Sequence, residues 1–171
     1  LQPPALERRA DDLPARLPGR QPGTDQRADE RLEVALDGRA SDAGIPGSYR
    51  AILSTAAANA ADRLSGARGW IRRDGRPVAD LPTNLFGAPW ALAPILTDAA
   101  GNNVGAVSVW SASGNTGIYN TGAGGSDCGG WTSASTVSSA WYGFANTTSE
   151  WLDRGTLAPC NQLFHIYCFQ V

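Results

Sequence analysis

Hydrophobic positions are spread unevenly along this chain. Residues 1–23 mix charged side chains with Pro3, Pro4, Pro14, Pro18 and Pro22 and show no apolar period. Such a stretch reads as a Pro/Arg-rich linker or tail, extended and outside any core. Leu32, Ala35, Leu36, Ala40 and Ala43 then recur at the spacing of one helical face. Thr24 or Asp25 suits the start of that helix, Gly44 its left-handed end, and Pro46 prevents its continuation. The pattern predicts a helix over 24–43 whose narrow stripe of small side chains suits docking onto a larger body. Beyond residue 45 the period shortens. Ser48–Ser54, with Tyr49, Ile52 and Leu53, reads as a strand leading to a short helix through Ala60–Leu64. Trp70–Arg73 and Arg76–Ala79 flank Asp74-Gly75, a pair that accepts the positive φ angles of a tight hairpin turn. Val104–Trp110 reads as another strand. Leu163–Val171 is apolar on both alternating faces, as expected of a strand in the middle of a sheet. Between them, residues 111–130 are dominated by Gly, Ser, Asn and Thr and read as a long loop. A loop of that length inside a compact domain is usually functional. The predicted class is α+β, with a small mixed sheet, one or two helices and a long loop region.

Composition sharpens the boundary. Every aromatic residue lies from Tyr49 to Phe169, while residues 1–43 carry seven Arg and nine acidic groups. A segment so charged and without aromatics cannot bury enough apolar surface to fold alone. One domain over 24–171, preceded by a tail, follows. The chain begins at Leu1 and lacks Met, which suggests a processed product. Residues 44–76 carry six Arg against Asp62 and Asp74, and from 77 onward Arg154 faces Asp80, Asp98, Asp127, Glu150 and Asp153. The net charge of −2 argues against a nucleic-acid partner. No run of 18 apolar residues is present, so no membrane-spanning segment is expected.

Cys128, Cys160 and Cys168 form no C-x-x-C pair, and with one histidine they fit no zinc module. One disulfide with one cysteine left over fits better and favours an exported protein. His165 has no nucleophile elbow to serve, and strand alternation sends it and Cys168 to opposite faces. No acid–base pair or nucleophile–base arrangement is visible, so no enzyme is expected.

Ser48–Ser54 with Asn59–Leu64, Arg73–Ala79, Val109–Ser111, Cys128–Ser133 and Cys160 with Cys168-Phe169 together resemble the endostatin-like bacterial family of the C-type-lectin-like superfamily. Ser48-Tyr49-Arg50-Ala51-Ile52-Leu53-Ser54 followed by Asn59-Ala60-Ala61-Asp62-Arg63-Leu64 is similar to that family's opening. Arg73-Asp74-Gly75-Arg76-Pro77-Val78-Ala79 resembles its hairpin, and Val109-Trp110-Ser111 its central strand. Cys128-Gly129-Gly130-Trp131-Thr132-Ser133 resembles its C-x-x-W-T-S segment, and Cys160 with Cys168-Phe169 its terminal cysteine pair. The resemblance covers roughly 36–171. It implies a C-type-lectin-like fold whose irregular loops present a ligand surface, and a Cys128–Cys160 bridge. Cys168 would pair with a helix cysteine, but Leu36 stands there, so Cys168 is expected to remain a thiol. Calcium-binding relatives carry Glu-Pro-Asn or Gln-Pro-Asp, which are absent, and Trp151-Leu152-Asp153 matches their Trp-Asn-Asp only in part. No cofactor or metal is expected.

The expected function is an extracellular, non-enzymatic module, secreted or at a bacterial cell surface, that binds a glycan or protein through the 111–153 loop surface. Tyr119, Trp141, Tyr142, Asn146 and Asp153 are the candidate ligand-facing residues, because aromatic faces stack on sugars and anchor interfaces. Trp110 and Trp131 are expected in the core. Asn146-Thr147-Thr148 is also a glycosylation sequon. Two alternatives stand beside this: polyanion binding through the Arg68–Arg76 segment, with Arg72, Arg73 and Arg76, and self-assembly through the N-terminal helix and tail.

Overall fold

A buried strand late in the chain organises the sheet, and its sequence explains why. His165–Gln170 carries apolar side chains on both alternating faces, so each face must be covered. The fold is given by a computed structural model for residues 6–9, 37–38, 40–88, 90–124 and 126–171. Among these described residues the strands are β1 (Leu6–Arg9), β2 (Tyr49–Ala51), β3 (Trp70–Ile71), β4 (Pro77–Ala79), β5 (Ser108–Trp110), β6 (Ser139–Phe144), β7 (Leu157–Pro159) and β8 (His165–Gln170). The main sheet runs β1-β8-β5-β6-β7, with β2 also paired to β8, and β3-β4 form a separate hairpin. Only the β5–β8 pairing is parallel; the others are antiparallel. Cys168 is paired on both sides, with Leu6 and with Ala51. One edge of β8 therefore belongs to β1, while β5 and β2 share the other end to end.

Two cores lie on the two faces of this sheet. Tyr167 and Phe169 of β8 and Val109 of β5 point into the first, with Ile52, Leu64, Trp70, Val78, Leu85 and Trp151. Ile166, Cys168 and Trp110 point into the second, with Ala40, Ile45, Tyr49, Ala51, Tyr142 and both bridged cysteines. Burying a side chain of Ile or Phe size contributes about 1.5–3 kcal/mol, so neither face is dispensable. The hairpin joins the first core through Trp70, whose ring meets Phe169 edge-on and whose indole N–H donates to the Gln170 carbonyl at 2.9 Å.

The architecture is a small mixed α+β domain with a curled sheet and few helices. A 3-10 turn at Ala61–Leu64 stands where the short helix was expected. The hairpin and β8 also fall where the pattern placed them, in shorter form. Residues 40–42 are helical, and Ala40 and Ile45 dock on the second core. Residue 43 is already in the turn, and the remainder of the helix expected over 24–43, including Leu36, lies outside the described residues apart from 37 and 38. One expectation needs correction. Leu6–Arg9, read from sequence as part of a tail outside the core, pairs with β8 from Leu6–Cys168 to Arg9–His165. Proline and charge density argued against that strand; the open edge of β8, with its unpaired backbone groups, supplies the reason for it. Other parts of 1–23 lie outside the described residues.

Candidate functional site

The loop region is built around a covalent bridge and an unusual turn. Cys128 and Cys160 form a disulfide with their Cα atoms 5.7 Å apart. Closing a loop of that length contributes about 3–4 kcal/mol in the chain-entropy description. From Cys128 to Trp131 the φ angles are +55°, +64°, +64° and +63°, one turn of left-handed helix. Gly129 and Gly130 accept this conformation readily. Cys128 and Trp131 do not, and each costs about 1–2 kcal/mol there. Asp127 opposes the strain: its side chain accepts from the Gly130 N–H at 3.0 Å and its carbonyl from the Trp131 N–H at 2.8 Å. It also accepts from the Ala56 N–H at 3.2 Å. The Trp131 indole N–H donates to the Ser54 carbonyl at 3.0 Å, and its ring lies 6.1 Å from that of Trp110.

Short polar side chains fix the rest of the loop. Ser54, Ser111 and Ser113 are fully buried. Ser54 Oγ lies 2.7 Å from Ser113 Oγ and accepts from the Ala60 N–H at 2.8 Å. Ser111 donates its hydroxyl to the Leu152 carbonyl. Asn59 accepts from the Tyr119 N–H at 2.9 Å. Asn115 grips Asp153 by both backbone groups, accepting from its N–H at 3.2 Å and donating to its carbonyl at 3.3 Å. Asn120 donates to the Asp153 carboxylate at 2.9 Å. Buried polar groups of this kind specify one arrangement when satisfied, so the loop is held in a defined shape without regular structure.

The candidate residues divide. Trp141 is half-buried on β6, where it meets Gly122: a Cβ at Gly122 would lie 3.1 Å from its ring and 3.0 Å from Asn120 Oδ1. Trp141, Asn120 and Asp153 thus form one contiguous group. Tyr119 is half-buried at the neighbouring bridge with Ser113. Asn146 is exposed in the turn after β6. Tyr142 departs from the expectation. Strand alternation turns it away from Trp141, into the second core against Trp110 and Phe164, and it is 8% exposed. Its hydroxyl accepts from Arg154 at 2.7 Å, and the guanidinium lies over Phe144, 4.5 Å from the ring centre. Trp110 is buried as expected, whereas Trp131 is only partly so.

The arginine segment also changes character. Arg72 is buried and bonded to Asp74 and to the Pro94 carbonyl, so it is not available to a ligand. Arg68 pairs with Asp80. Arg73 and Arg76 are exposed. The bond from Arg72 holds the Asp74 carboxyl below its ordinary range. Burial pushes the Tyr49 phenol up, against the lowering effect of the Arg73 charge. His165 is buried on β8, and Cys168 forms no disulfide and is buried on the same strand.

Sequence reasoning missed Asn115, Asn120 and Gly122. The available signal was the repeat of Asn-Thr-Gly at 115–117 and 120–122. Among the described residues no group of three or more His, Cys, Asp or Glu is placed to hold a metal ion. No helix among them is long and apolar enough to cross a membrane. No protein-family model matches the chain, and no curated protein matches it.

Proposed function

We propose that this chain is an extracellular, non-enzymatic binding module of C-type-lectin-like architecture that recognises a glycan through the 111–153 surface without metal. The observation that carries the reading is the group formed by Trp141, Asn120 and Asp153 beside the side-chain-free Gly122. A partly exposed indole next to a fixed amide and carboxylate suits a sugar, whose C–H face stacks and whose hydroxyls both donate and accept. The bridge and the serine and asparagine bonds support it further, since a preformed surface lowers the ordering cost of binding. A protein ligand would use the same face. The disulfide agrees with an exported protein at the cell surface or beyond it.

The test is a glycan array probed with the intact protein, with and without chelator, beside Trp141→Ala and Asn120→Ala variants. The reading expects chelator-insensitive binding that falls at least about tenfold in Trp141→Ala, as loss of a stacking anchor does. Binding that chelation abolishes, or that survives Trp141→Ala, would remove it.

A further inference from the structure

We infer that the Cys128–Cys160 bridge is a redox-sensitive latch on the left-handed turn, and that opening it releases Trp131 from the Ser54 carbonyl while the first core stays folded. Four observations meet at this turn. Cys128 and Trp131 both occupy the left-handed region that side chains avoid, and they stand at its two ends. The bridge leaves from the strained Cys128 and lands on Cys160, whose N–H donates to the Ser138 carbonyl beside β6. Asp127 spans three segments, bonding Ala56 and Gly130 and pairing with Ala140. The Trp131 indole N–H is the far end of the turn and reaches Ser54 at 3.0 Å. The bridge at one end and the indole hydrogen bond at the other, with the Asp127 bonds to Gly130 and Trp131 between them, therefore hold a conformation that two of its four residues disfavour.

Most of the first core is remote from this device. Trp70, Phe169, Tyr167 and Trp151 pack with one another and include neither bridged cysteine nor Trp131. Relaxation at 128–131 can proceed without dismantling them. The chemistry is a two-electron exchange with an external dithiol. One reductant thiolate attacks Cys160 Sγ, Cys128 departs as a thiolate and takes a proton, and the second reductant thiol displaces Cys160 in turn. Both cysteines end as thiols and the reductant as a cyclic disulfide. Cys128 then tends toward negative φ, which turns Trp131 out of its contact with Trp110.

The inference rests on backbone geometry and stands apart from the glycan reading, so its test uses no ligand. Indole N–H exchange is followed by NMR in the intact protein before and after dithiothreitol, with Trp70, bonded to Gln170, as the reference. Reduction is expected to speed exchange at Trp131 on the order of tenfold and to leave Trp70 unchanged. A second arm separates strain from loss of the cross-link. Cys128→Ser/Cys160→Ser keeps a side chain at the strained position, whereas Cys128→Gly/Cys160→Ser removes it, and the glycine variant is expected to hold Trp131 within about threefold of the oxidised protein. Unchanged exchange at Trp131 on reduction would overturn the inference. So would equal acceleration at Trp131 and Trp70, which would make the bridge a support of the whole fold.

Discussion

At Gly143 a Cβ would lie 2.1 Å from the Trp151 carbonyl oxygen, so Gly143→Ala must push two backbones apart. At Gly129 the nearest atom to a new Cβ is 3.7 Å away, and only the positive φ opposes a side chain. Urea titration should therefore separate two mechanisms. Gly129→Ala loses about 1–2 kcal/mol from conformation alone, and Gly143→Ala loses at least as much through overpacking, about 1–3 kcal/mol or beyond. Asp74 gives a pH-dependent counterpart. Its folded carboxyl is held below the ordinary 3.8 by the bond from Arg72, so the stabilisation is present above that value. It is lost as pH falls through the lowered folded value. Asp74→Asn should accordingly flatten the acid limb of a stability–pH curve, and an unchanged limb would contradict the assignment. At this scale the sequence was partly legible. The Arg68–Arg76 segment was legible as basic, but the burial of Arg72 depended on the Pro94 carbonyl, 22 residues away. Tyr142 misled because polar neighbours in sequence concealed an aromatic cluster completed by Phe164 and Trp110.

Among the elements, those with local signals were readable. Asp74-Gly75 announced the hairpin, and two-faced apolar alternation announced β8. Strands β6 and β7 were not foreseen, because Ser139–Phe144 sits among Ser, Thr and Gly and owes its strand to β5 on one side and β7 on the other. Tertiary pairing decides such strands more than propensity does. The 111–130 loop was readable as a loop, yet its shape was not. Two asparagines from one repeat reach Asp153 across more than 30 residues. Asn115→Ala removes both bonds to the Asp153 backbone, each worth about 0.5–1.5 kcal/mol. Hydrogen exchange at 151–155 should then accelerate on the order of tenfold while β8 amides stay protected. Equal protection in variant and parent would show that Asn115 does not hold this segment.

For the whole molecule, charge distribution alone suggested a basic patch at 44–76, and pairing reduces it. Asp80 and Asp74 face Arg68 and Arg72, leaving Arg73 and Arg76 exposed. Heparin chromatography at about 0.1 M salt is expected to show little retention, changed little by Arg73→Ala/Arg76→Ala, because interactions of exposed charges are largely screened beyond a Debye length of about 10 Å at that salt. Strong retention abolished by that double variant would favour the polyanion alternative instead. The placement of β8 was legible because its two-faced hydrophobic pattern is strong; the strand at Leu6–Arg9 was not, because nothing in its four residues specifies a partner.

The place of β8 in the order of synthesis has its own consequence. It pairs with β1, β2 and β5 and contributes to both cores, yet every one of those partners is made before it. A ribosome-bound chain that stops short of His165 holds three strands with no common neighbour and two apolar surfaces with no divider. Closure of the sheet must then be late and non-local, a topology that folds slowly, and oxidation of Cys128 must wait for Cys160 to emerge. The nascent chain is thus exposed to aggregation until β8 emerges, and shielding by chaperones would matter most in that interval.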